Sequence, residues 1–134
     1  MSWFIYALLA LILWGLWGFF PRIAVNYISP KSILIFESFG SLLVGISVLI
    51  FTGQIELHPL STVLSTLAGI TGALGALFFI IALKKGNTYV VVAMTALYPL
   101  ITILLCYAVL REPIKSKQML GIIFAIIAMV LFAD

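Results

Sequence analysis

The stretch from Ile81 to Ile122 reads IALKKGNTYVVVAMTALYPLITILLCYAVLREPIKSKQMLGI. Lys84, Lys85 and Gly86 end one apolar segment. A second, residues 88–110, follows with Pro99 in its middle. A charged hairpin of Arg111, Glu112, Pro113, Lys115 and Lys117 then turns the chain into a last apolar segment. An uncharged run of roughly twenty residues is long enough, as a helix, to cross the hydrocarbon of a bilayer. The stretch therefore reads as two membrane crossings with their turns.

The composition extends that reading to the whole chain. Of 134 residues, 65% are apolar and 8% charged, too much hydrocarbon for a soluble domain of this size to hide. The charges fall in short clusters between apolar runs, as expected where charge in mid-bilayer is costly. The small basic excess suits interfacial anchoring and not nucleic-acid binding, since no soluble basic face is present. The fold class expected is an all-α integral membrane protein, a bundle of five transmembrane helices near residues 3–20, 31–52, 63–83, 88–110 and 117–133, in one domain over 1–134. The first run lacks basic residues ahead of it and a small-x-small site after it, so it reads as a retained helix and not a signal peptide.

Chemistry-bearing residues are few. Cys106 is single and can form no internal disulfide. His58, beside Pro59, has no second histidine or cysteine near it in sequence. No paired carboxylates, nucleophile with base or metal cluster is visible, so neither an enzyme, a cofactor nor a metal is expected. Glu37 is the one acid embedded in an apolar run, roughly 10 Å along the helix from Pro30, with Ser41 and Gly45 on its face. Two readings of it stand: surface pairing with Arg22 or Lys31, or lining a translocation path where it exchanges a proton for solute.

The same doubling applies elsewhere. Trp3 is an interface anchor, while Trp14 and Trp17 either belong to an aromatic belt or wall a cavity for flat or cationic solutes. The ridges Ala68, Gly72, Ala76 and Ser65, Gly69, Ala73 either let helices approach closely or leave room for a ligand. Thr95, Tyr98 and Thr102 share a face beside Pro99, where they either satisfy the kink or hydrogen-bond a solute. Ser29-Pro30 reads as a helix start. The last segment is short, which places Asp134 close to the opposite surface.

Ala82-Leu83 with Gly86 three residues on, Tyr98-Pro99 in mid-helix, Leu110 with Glu112 at the helix exit, and Gly121 resemble the second part of an EamA domain of the drug/metabolite transporter superfamily. Trp14-Gly15 and Arg22 resemble that domain's opening. The resemblance covers about Ala7 to Leu131 and implies five helices per domain and transport of small organic solutes. Typical members carry two such domains in opposite orientations. A single unit implies half of a ten-helix inverted-repeat transporter, completed by dimerisation. The small multidrug resistance branch offers a precedent for short chains pairing antiparallel, but it carries its acid in the first of four helices. Here the acid is in the second, so proton-coupled drug export is not carried over from that branch.

The charge distribution bears on assembly independently. Five crossings place Arg111, Lys115 and Lys117 on one side and Arg22, Lys31, Lys84 and Lys85 on the other, a difference of one cation. Orientation needs a clear lysine and arginine bias, and almost none exists. The expectation is dual insertion and an antiparallel homodimer in a prokaryotic plasma membrane, with the lipid bilayer and a small-molecule solute as partners and no nucleic acid. A weakly oriented single-topology protein, a heterodimer subunit, or a non-transporting membrane subunit would show the same balance. Reporters active on only one side of the membrane, fused to the C-terminus, are expected to give comparable signals for both sides. Signal from one side alone would rule the homodimer out.

Overall fold

The computed structural model describes residues 3–133, and among them every regular element is helical. The expectation for Asp134 falls outside the described residues. The chain divides into two compact units that meet in sequence at Lys85 and Gly86.

The first unit holds α1 (Trp3–Ala24), α2 (Pro30–Thr52) and α3 (Pro59–Lys85). α1 continues four residues past the expected end at Phe20, straight through Pro21, which is buried. Proline removes one helical hydrogen bond, and its missing N–H leaves the carbonyl of Trp17 without a donor from that position. The helix resumes beyond it, with Val25 N–H donating to the Pro21 carbonyl at 2.9 Å. It then unwinds through Tyr27 N–H to Ala24 O at 2.9 Å. Ser29 caps α2 as its sequence predicts: its Oγ accepts from Ser32 N–H at 3.3 Å, and Pro30 takes the first helical position. Gly53 ends α2 at φ 65°, a left-handed conformation open to glycine at little cost.

α3 starts earlier than the polar residues Ser61 and Thr62 suggested. His58 supplies the reason: its Nδ1 accepts from Ser61 N–H at 3.4 Å, so the ring caps the helix that Pro59 opens. At the other end Lys84 and Lys85 lie where the helix dipole favours cations. The result is a helix of 27 residues, longer than the hydrocarbon core of a bilayer is thick.

α3 packs against both α1 and α2. The tightest packing is at one end of this unit, where Val25, Ile33 and Ile80 form the buried cluster and Ile80 is fully enclosed. Nearly all other large apolar side chains are exposed, among them Phe51 at 89%. That pattern fits a molecule whose outer solvent is lipid.

Near the start of the second unit, Asn87 Oδ1 accepts from Tyr89 N–H at 2.9 Å and caps α4 (Thr88–Thr95). The expected single segment is broken at Ala96 and Leu97 and resumes as α5 (Tyr98–Leu105). Pro99 is the cause, since it cannot donate to the Thr95 carbonyl and its ring crowds that carbonyl. Three-residue bonds, Leu97 N–H to Met94 O and Leu100 N–H to Leu97 O, carry the chain across the break. A π-helical turn, Cys106–Leu110, follows and stops at Arg111, the one non-glycine residue with positive φ among those described. α6 (Ser116–Ala133) opens with Gln118 Oε1 accepting from Lys115 N–H at 2.8 Å, half of a capping box. α4 packs on α6.

Four segments, Trp3–Ala24, Pro30–Thr52, Pro59–Lys85 and Thr88–Leu110, are long and apolar enough to cross a membrane, with Ser116–Ala128 a shorter apolar helix. The enclosed Ile80 gives a test of where the packing resides. Ile80→Ala is expected to lower unfolding stability by about 2 kcal/mol, because it leaves a cavity. Phe51→Ala should stay within about 0.5 kcal/mol. Denaturant titrations of the protein in lipid-detergent micelles would measure both.

Candidate functional site

The site is built from one face of α2 and one face of α3. On α2, Leu34, Glu37, Ser38 and Ser41 recur at helical spacing. On α3, Ala68, Gly69, Gly72, Ala73 and Ala76 present small side chains toward the same space. Between them lies a half-open cleft of about 410 Å³, with Trp17 of α1 also in its wall. That volume is within the usual range for small-molecule sites, ~300–1,000 Å³. A methyl group added at Gly69 or Gly72 would meet nothing within 4 Å, so the small residues of α3 leave space here.

Trp17 is held by Phe79. Their rings stack at 5.4 Å between centroids and 18° between planes. Phe79 is buried, while the indole keeps 43% of its surface exposed. Phe79 also fixes how closely α1 and α3 approach, because a Cβ on Gly18 would sit 3.8 Å from its ring.

Glu37 is the charged member of the cleft. It also lines a second, shallower cleft of about 350 Å³ with Phe20, Pro21, Ala24, Ile28, Ile33 and Phe36, where it is the one polar side chain. Its Oε1 is enclosed and accepts no hydrogen bond among the described residues. The surface-pairing reading therefore has no contact at that atom; the Arg22 guanidinium donates to Asn26 Oδ1 at 3.3 Å. Ser41 does not reach the carboxylate either. Its hydroxyl donates to the backbone carbonyl of Glu37 at 3.1 Å, which uses its proton and leaves its lone pairs.

The other expected residues fall as follows. Trp14, 61% exposed, is not among the residues lining the cleft. Gly45, on the Glu37 face by spacing, is not either. Thr95, Tyr98 and Thr102 belong to the second unit. The Thr95 hydroxyl donates back to Val91 O at 2.9 Å and Val92 O at 3.1 Å, within its own helix. Tyr98 is 54% exposed, at the restart of the helix after the break. Ser38, Leu34 and Phe79 were not singled out from the sequence. The signal for Ser38 was present in its spacing, three residues before Ser41 and next to Glu37. Phe79 had no such signal, because an apolar residue in an apolar helix carries none. Among the described residues no group of three histidines, cysteines or carboxylates lies together as a metal site requires.

No curated protein and no solved structure matches the chain. A family model, that of the EamA-like transporter family, matches residues 1–133. On that match over almost its full length, the chain belongs to the EamA-like transporter family, membrane transporters of the drug and metabolite kind.

Proposed function

We propose that the protein is a secondary transporter of small organic solutes, with the cleft at Glu37 as its solute site. The observation that carries this reading is the enclosed, unbonded Oε1 of Glu37 within a membrane-crossing segment. A carboxylate there costs several kcal/mol unless a partner or a proton offsets it. A proton and a solute that compete for one carboxylate each offset that cost in turn, which is the elementary requirement for exchange. Ser38 and Ser41 supply hydroxyls beside it, and Trp17 supplies an aromatic wall.

Alternating access needs two related halves of opposite orientation around the site. In this proposal the second half is another copy of the chain. With five crossings per copy, α6 being the fifth, the near-balance of lysine and arginine on the two sides would let copies insert both ways and pair as an antiparallel homodimer in a prokaryotic plasma membrane. Thr95, Tyr98 and Thr102, on the second unit, are proposed as further solute-contacting residues. Thr95 would act as an acceptor, since its hydroxyl proton is used within its helix.

A second reading is a non-transporting subunit that binds another integral membrane protein. The small-residue face of α3 supports it, because open Cβ positions at Gly69 and Gly72 allow close helix approach. Solute flux in proteoliposomes made from this protein alone separates the two, since a mere subunit gives none.

Two substitutions test the site itself. Glu37→Gln keeps the shape and removes the charge, and proton-driven uptake is expected to fall at least about tenfold with its pH dependence flattened. Unchanged flux and unchanged pH profile would remove Glu37 from the mechanism. Gly72→Leu fills open space, so it should leave the thermal unfolding midpoint nearly in place while flux drops by about tenfold or more. A loss of folded protein would instead assign Gly72 to packing.

A further inference from the structure

The polar chemistry of the cleft is one-sided. Among the described residues its wall contains one carboxylate and no lysine, arginine or histidine. Ser41 presents lone pairs, because its proton is committed to the Glu37 carbonyl. The basic residues of this unit, Arg22, Lys31, Lys84 and Lys85, all sit at the ends of helices, and none of them lines the cleft. The Ser38 hydroxyl and the Trp17 indole N–H are neutral donors in the same wall, but a carboxylate with no cationic side chain among the lining residues selects a solute that brings positive charge.

The apolar part of the wall points the same way. Trp17 is fixed flat against Phe79, and an indole face attracts a cation through its quadrupole. The α3 side offers only small apolar groups, which accept a hydrocarbon body without directing hydrogen bonds at it. A single carboxylate balances a single charge, and a doubly charged solute would leave one charge unmatched in a low-dielectric space.

We infer that the cleft between α2 and α3 takes a monovalent organic cation, with its charge against Glu37 and its apolar body against Trp17 and the small-residue wall of α3. This rests on the cleft being the solute site, as proposed above. It excludes carboxylates, phosphates and sulfonates as solutes, because an anion would meet Glu37 with no cationic side chain in the wall to offset the repulsion.

The test uses the full chain in zwitterionic lipid nanodiscs, titrated calorimetrically with benzyltrimethylammonium, benzyl alcohol or benzoate, with empty nanodiscs as the blank. Saturable binding of the cation is expected, at least tenfold tighter than benzyl alcohol, with none for benzoate. Glu37→Gln should weaken the cation at least tenfold and leave benzyl alcohol unmoved. Glu37→Asp, which keeps the charge on a shorter arm, should hold cation affinity within a few-fold and so guards against a variant that merely misfolds. Equal binding of the neutral or anionic probe, no binding of the cation, or an unchanged cation affinity in Glu37→Gln would each overturn the inference. Parallel flux measurements keep the two readings apart. Cation binding without flux of any solute would sink the transporter reading and leave this one. Flux of neutral or anionic solutes without cation binding would do the reverse.

Discussion

Inside a bilayer there is no water to satisfy a polar group, so every donor and acceptor must find its partner within the protein. Six hydroxyls of this chain obey that constraint in one repeated way. Ser41, Ser47, Thr52, Thr66, Thr71 and Thr95 each donate to the carbonyl one turn back along their own helix. The helix breaks obey it too. Pro99 forces a gap that three-residue bonds bridge, and the π turn after it ends at Arg111, whose N–H donates to the Cys106 carbonyl. Caps from Ser29, His58, Asn87 and Gln118 close the helix starts with side-chain acceptors.

Against that background Glu37 Oε1 is the exception, enclosed and without a hydrogen bond among the described residues. Ser41 does not repair it, because its proton is already spent on the Glu37 backbone carbonyl. The small residues opposite it on α3 do not close the gap, since Gly69 and Gly72 leave room where side chains would fill it. The same local economy that stabilises the helices thus leaves one enclosed acceptor without a hydrogen bond among the described residues. A site in a membrane protein arises here from what the packing fails to satisfy.

The aromatic pair shows how a wall is set in place. Trp17 stacks on Phe79, and the closest packing of the unit lies nearby in sequence at Ile80 and Leu83. Pro21, four residues on from Trp17, is buried against that same end. Rigid packing at one end and a cleft toward the middle of the helices let the unit hold a solute site without a large enclosed core.

Much of this was legible in the sequence. The apolar runs, the charged turns, the Ser29-Pro30 start, the disruption at Pro99 and the singularity of Glu37 follow from composition, period and the chemistry of proline, all local properties of the chain. Helix ends were less legible, because α1 runs through Pro21 and α3 begins at a histidine cap, and both depend on bonds formed only in the folded backbone. The joining of Glu37 and Ser38 to Trp17 and the α3 glycines was decided by tertiary structure alone. Helical spacing says which residues share a face, but not which face of another helix it meets. In an apolar sequence nearly every face is hydrophobic enough to face lipid or protein, so periodicity loses its power to choose. Packing of small against small, and of Trp17 on Phe79, makes that choice.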